Sequence, residues 1–286
     1  MTLVIGEISY TNILPIFYYV DRQKLSQLGC TFIPKIPAKL NQDMAEGRID
    51  VGGISSFAYG ENADAYTVLP NLSVSSFDSV GSIFLFSKYP IEQLDGKRIA
   101  LTSSSATSSN LLKIILGTFM NHQIAYDVME PNFQKMMATY DAALLIGDDA
   151  IVTSWNEGNH YYRYDLGELW YKYTALPMTF AVFAVRNQVI VEKEEMVAEL
   201  YDQLVTSKDE SIEQMFKPMI ADIQKLLGGP TSYWTSYFNG LSYDLGQKQI
   251  EGLLYYFKLA YEKQLITTKV EQVTVWSAYD RHHTIS

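Results

Sequence analysis

Short β-branched runs alternate along this chain with amphipathic stretches, and that alternation restricts the fold more than any other feature of the sequence. Runs of four to eight apolar residues between turn signals read as strands over residues 3–7, 30–34, 51–54, 82–87, 98–101, 125–128, 142–146 and 179–185. Segments with a helical apolar period fall over residues 14–19, 38–46, 108–120, 132–139, 193–206, 210–227, 233–238 and 247–263. Strands interleaved with helices predict an α/β fold. The last four helices follow one another with no strand expected between them, so the chain should end as a helical cover.

Two stretches read as crossings between lobes. "SVGSIFLFSKYPIEQLDGKRIAL" joins one strand to the next through Pro90 and Gly96, and "TALPMTFAVFAVRNQ" is a long apolar strand with Pro177 at its entrance. Between them lies a βαβαβ segment of about 90 residues, the size of a small domain. The expected organisation is a discontinuous first lobe, residues 1–86 and 178–286, with a second lobe, residues 87–177, inserted into it and a ligand cleft between the two. No repeats or low-complexity tracts interrupt this pattern.

Charge and composition narrow the function. A formal net charge of -10 disfavours nucleic acid and anionic membrane surfaces, which reward basic patches. Cys30 is the single cysteine, so no intrachain disulfide or thiolate metal cluster can form. His122, His160, His282 and His283 lack neighbours at metal-ligand spacing, and the His282–His283 pair reads as a solvated terminus. There is neither a GxxxxGK[ST] nor a GxGxxG motif, so nucleotide binding is not expected. No metal or organic cofactor is implied. The opening "MTLVIGEISY" has no basic n-region, its apolar run is short, and an acidic residue follows at once, which predicts a cytoplasmic protein. No run approaches the ~18 apolar residues of a membrane span. The oligomeric state is left open.

The polar clusters fall after strands, where open α/β sheets bind ligands. "ISYTN" follows the first strand and offers Ser9, Tyr10 and Asn12; "SSFAYG" follows the third and offers Ser55 and Ser56. "TSSSATSSN" offers Ser105, Thr107 and Ser108, and "GDDA" offers Asp148 and Asp149. Two clusters belong to each lobe, so closure would gather all four around one cleft. Eight of the nine residues 102–110 are Ser, Thr or Asn and run into a helix. The free N–H groups of its first turn carry roughly half a positive charge, so this loop is a candidate carboxylate or phosphate seat. One of the two aspartates reads as a helix cap; Asp148 is the better candidate for a proton donor, its pKa raised by desolvation and bound anions. Asn12 reads equally as a helix cap and as an amide that orients a ligand. The tyrosine-dense "YYRYDLGELWYKYT" is expected to pack in the core or between the lobes.

Taken together, "GEISYTNILPIFY", "GRIDVGGISSFAYG", "LPNLSVSSFDSVGSIFLFSK", "LTSSSATSSNLLKIIL", "DAALLIGDDAI" and "YDLGELWYKYTALPMTFAVFAV" resemble the menaquinone-biosynthesis chorismate dehydratases of the futalosine route. The resemblance covers roughly residues 1–190 and implies a fold similar to the type II periplasmic solute-binding proteins. It implies a lyase that converts chorismate to 3-[(1-carboxyvinyl)oxy]benzoate, with no cofactor and a small-molecule substrate. For that reaction no histidine or lysine lies in the four clusters as an obvious base, so the substrate's own enolpyruvyl carboxylate is expected to take the C3 proton. Asn12 is expected to orient the substrate, Ser82, Thr107 and Ser108 to seat carboxylates, and Asp148 to protonate the leaving hydroxyl. The sister 1,4-dihydroxy-6-naphthoate synthases carry a histidine where this chain has Gly147 and Asp148. A cytosolic small-carboxylate binding or sensor protein is the alternative outside enzymes. Ala106 departs from the family pattern, in which a polar or basic residue often precedes the Thr-Ser pair.

Overall fold

The N-terminal β-branched runs pair in parallel. β1 (Leu3–Ile8) lies between β2 (Cys30–Lys35) and β3 (Val51–Ser55), and β1 and β3 have the near-continuous burial of strands covered by helices. The structure, a computed structural model, describes residues 2–157 and 160–277; His282 and His283 lie outside the described residues. The remaining strands are β4 (Tyr66–Ser76), β5 (Ile83–Ser87), β6 (Arg98–Thr102), β7 (Ala125–Met129), β8 (Ala142–Ile146), β9 (Tyr162–Asp165), β10 (Met178–Arg186) and β11 (Leu241–Ser242). They complete two sheets, ordered β11-β4-β10-β3-β1-β2 and β7-β6-β8-β5-β9. The expected α/β fold with two lobes is therefore present, and each of the eight expected strands forms within one residue of its expected ends.

The first crossing lies elsewhere than expected. β4, the longest strand at 11 residues, is not among the eight expected strands; Pro70 and Asn71 interrupt its apolar pattern and serines fill its second half. Asn71 takes a left-handed φ of 56°, and the pairing with β10 slips twice along the strand. The serines are buried and bonded: Ser73 Oγ donates to Asp244 O at 2.6 Å, and Ser75 Oγ lies 3.0 Å from Thr179 Oγ1. The chain leaves the first sheet after Ser76. β5, which the expected boundary at 86 would leave in the first lobe, is fully buried in the second sheet between β8 and β9. The return crossing enters β10 at Met178, which pairs with Ser76, so both crossings run side by side.

The C-terminal helices form the expected cover, and its last helix touches both lobes. An expected break near residue 208 is absent: within Asn187–Glu213 the helical backbone is interrupted only at Lys193, whose φ of -134° and ψ of 30° separate a short first helix from the one that runs on to Glu213. It ends where Met215 and Phe216 both adopt left-handed φ and turn the chain into Lys217–Leu227. The two-residue β11 also interrupts the helical run, pairing with Ser75 and Ser76. In the helix Gln247–Glu262, Tyr256 donates its hydroxyl to Thr107 O at 3.3 Å in the second lobe, while Phe257 packs on Gly60 of the first. Gly252 lets this helix reach the return crossing, since a Cβ there would lie 2.1 Å from Pro177 O. Gly252→Ala should lower the unfolding free energy by about 1–3 kcal/mol. Urea titration checks this, and an unchanged midpoint would refute the close approach.

Candidate functional site

Parallel strands end together, and the polar clusters follow from that. β1 and β3 present their carboxyl ends from the first sheet, and β6 and β8 present theirs from the second. β5 runs antiparallel to β8 with Ile83 opposite Ile146, which sets Ser82 beside Gly147; Gly147 N donates to Ser82 O at 2.7 Å. Three loops thus converge: residues 9–12 from one lobe, and Ser82 with Gly147–Asp148 from the other.

Asp148 closes the gap between the lobes. Its Oδ1 accepts from Thr11 Oγ1 at 2.6 Å and from Thr11 N at 3.3 Å. Both aspartates sit in the first turn of the helix Gly147–Glu157, with Asp148 partly buried and Asp149 exposed. Asp148 spends Oδ1 on the opposite lobe. Burial pushes its carboxyl above the usual carboxylate range; the two bonds from Thr11 oppose this, and the neighbouring Asp149 charge adds to it. Tyr10 lies against Gly147, which adopts φ +61°, and a Cβ there would come within 3.0 Å of the Tyr10 ring. Desolvation likewise raises the Tyr10 phenol, and contact with Ser104 partly offsets it.

The Asn12 cap reading fails on geometry. Asn12 sits inside the short 3-10 turn Thr11–Ile13, neither Tyr10 nor Ile13 makes a side-chain cap bond, and Asn12 Oδ1 is buried without a partner. Six buried side-chain polar atoms among the described residues lack a partner; Asn12 Oδ1 is one of the six, and Ser82 Oγ and the Tyr237 hydroxyl, which lie beside each other, are two more. The Tyr237 hydroxyl is near enough to Ser82 and Thr11 for theirs to ease its ionisation, but neither completes a hydrogen bond with it. Clustered orphans are the mark of a site kept for a ligand, because such groups are otherwise satisfied.

Other expected site residues are committed elsewhere. Ser55 caps the helix Ser56–Glu61 and holds the Asn41 side chain at 3.0 Å; Ser56 Oγ donates to Thr179 O at 2.7 Å. Ser105 caps the helix Ala106–Ile114 and bonds the Ser108 hydroxyl at 3.2 Å. Thr107 Oγ1 accepts from Phe57 N of the opposite lobe at 2.9 Å. Much of the hydroxyl-rich loop thus serves its own backbone and the lobe contact. Ser9 is exposed and lines, with Tyr10, Thr11 and Asp148, a groove of about 320 Å³ whose far wall includes Ile223 and Leu226. Ser105 and Ser109 line a second space of about 360 Å³ with Asn41, Glu61 and Lys113, an ammonium whose pKa burial pushes down. A larger groove of about 830 Å³ between residues 60–65 and 268–274 holds none of the strand-end residues and is set apart from this chemistry.

Thr11 and Tyr237 join the group without having been expected there. Thr11 lies within the first polar cluster, but nothing in the sequence distinguishes its hydroxyl from that of Ser9. Tyr237 sits in an aromatic helix, Thr231–Gly240, where the pattern reads as core. Among the described residues no cluster of three or more His, Cys, Asp or Glu is placed to hold a metal ion.

A sequence model of the menaquinone biosynthesis family matches residues 3–262. The chain is 32% identical over 199 residues to the chorismate dehydratase of Thermus thermophilus, covering 65% of this chain and 70% of that one. It is 26% identical over 185 residues to the chorismate dehydratase of Campylobacter jejuni, covering 64% and 67%. In fold it is similar to the alkanesulfonate-binding protein of Xanthomonas axonopodis pv. citri, with a TM-score of 0.69, 18% identity, and 97% and 98% of the two chains covered.

Proposed function

The chain belongs to the menaquinone biosynthesis family, and from that premise we propose that it is a hydro-lyase that dehydrates chorismate to 3-[(1-carboxyvinyl)oxy]benzoate. The observation that carries the reading is the partly buried Asp148 carboxyl, held by Thr11 across the lobes, whose pKa burial raises in the direction a proton donor needs. Dehydration needs a donor of this kind for the departing C4 hydroxyl. It also needs the C3 proton removed, and the substrate carries its own base, the enolpyruvyl carboxylate attached through oxygen at C3. The protein's share is then to hold that carboxylate over the C3 hydrogen and keep water out. Asn12, with an unpartnered buried amide oxygen, suits the orienting role. Thr107 uses its oxygen as an acceptor, which leaves the hydroxyl proton for a substrate carboxylate. Aromatisation of the ring supplies the driving force.

The sister reaction calls for a histidine at the cleft. His122 pairs with Ile91 O at 3.1 Å and His160 lies 3.4 Å from Glu157, and neither joins the Asp148 group. No helix among the described residues is long and apolar enough to cross a membrane, and we assign the enzyme to the cytoplasm. Incubation of the purified protein with chorismate, without added metal or cofactor, should yield a product lighter by one water with a benzoate absorption. Unchanged chorismate that still protects the fold against heat would favour a binding protein instead. Asn12→Ala is expected to lower kcat/KM by about three- to tenfold, the cost of one lost hydrogen bond from a neutral substrate hydroxyl.

A further inference from the structure

We propose that the Tyr237 hydroxyl, together with Ser82 Oγ, forms the seat for the oxygen that leaves C4 of the substrate. The inference rests on the dehydratase reading above and names a contact within the same site.

Tyr237 is 6% exposed, and its hydroxyl has no hydrogen-bond partner. Its ring is held from several sides, parallel to Tyr233 at 6.3 Å and edge-on to Trp234 at 5.8 Å and Phe238 at 5.1 Å. The chain also gives way to it. Gly81 adopts φ +70°, and a Cβ there would lie 3.0 Å from the Tyr237 ring, so the residue preceding Ser82 must stay small for the phenol to reach Ser82. A polar group fixed this firmly and left unsatisfied is explained by a partner that arrives with the substrate.

The partner's chemistry follows from the surroundings. Burial, reinforced by the Asp148 charge, holds the phenol far above its ordinary pKa, so Tyr237 is a donor and never a base. A permanent carboxylate placed against Asp148 would face a like charge as soon as Asp148 gave up its proton. A hydroxyl takes that proton and leaves as neutral water. In that step the C4–O bond cleaves with its electron pair moving to oxygen, and the Asp148 carboxyl proton joins that oxygen to release water. The C3–H pair becomes the C3–C4 double bond, and the C3 proton passes to the enolpyruvyl carboxylate. Charge on the departing oxygen exists only along this path, so donors aimed at it act on the transition state more than on the bound substrate.

The test compares Tyr237→Phe, Ser82→Ala and wild type in steady-state turnover of chorismate, across pH, with thermal melts. Tyr237→Phe should lower kcat by about 10²-fold with KM within about threefold of wild type. Its Tm should hold or rise, because an unsatisfied buried hydroxyl is removed and the ring kept. Ser82→Ala should show the same kcat-dominated loss. The alkaline fall in activity should stay at the wild-type pH. An unchanged kcat in both variants would overturn the inference. So would a raised KM at constant kcat, which would make the pair a carboxylate seat, or a shifted alkaline fall, which would make Tyr237 a positioning residue for Asp148. If wild type itself left chorismate unchanged, the dehydratase reading would fail and this inference with it; the outcomes confined to the variants leave that reading standing.

Discussion

Asp148→Asn is expected to lower kcat/KM by about 10²–10⁴-fold, the range in which a positioned proton donor contributes, while the fold stays intact. Asparagine keeps the shape and an oxygen that can accept both bonds from Thr11, so the lobes remain tied. What it removes is the transferable proton. Burial raises the wild-type carboxyl, so the native state holds this proton more tightly than the unfolded chain does. The stability linked to it is present below the unfolded-state pKa and is lost as pH rises through the raised native value. The wild-type Tm should therefore decline across that interval, whereas the variant, with no titrating group at this position, should lack that share of the decline. Activity of wild type should fall over the same interval as the donor ionises. Rates and melts collected together across pH check both, and a variant within threefold of wild-type kcat/KM would exclude Asp148 as the donor.

The second large effect concerns stability. Asp165→Ala should cost about 3–5 kcal/mol, because one buried carboxylate satisfies five donors and its removal strands them. Oδ1 accepts from Val80 N at 3.0 Å, Gly167 N at 2.8 Å and Glu168 N at 3.1 Å, and Oδ2 accepts from Ser79 Oγ at 2.8 Å and Gly81 N at 2.7 Å. Asp165 is thus the cap of the helix Leu166–Thr174 and also the clamp on the first crossing. Gly167 completes the clamp, since a Cβ there would lie 2.5 Å from Asp78 O. The clamped residues lead directly into Ser82, so the variant should lose turnover as well as stability. Urea unfolding at neutral pH is the measurement, and a loss below about 1 kcal/mol would show that water replaces the carboxylate without difficulty.

The strands beside the site are legible in the sequence because their apolar runs are local and their ends are marked by turn residues. β4 is not, since Pro70, Asn71 and three buried serines imitate a loop, and it takes Thr179 of β10 and the Asp244 and Asp78 carbonyls to satisfy the three hydroxyls. Asp148 is legible as one of two acids after a strand. Its bond to Thr11, 137 residues away, is not. Ser55, Ser56, Ser105 and Ser108 stand out for the same reason as Ser82, yet four of these five hydroxyls are engaged within the protein and one is left open.

The amino-acid sequence by itself determined the α/β class, the two lobes, the strand ends at which polar residues collect, and the family resemblance, because each depends on short-range pattern. Tertiary structure alone decided which hydroxyls are used up and which remain, where the chain crosses between sheets, and that Tyr237 from the last third of the chain reaches the group around Asp148. A hydroxyl is chemically the same whether its partner is a backbone carbonyl or a future ligand, and the identity of that partner is fixed by packing between residues far apart in sequence.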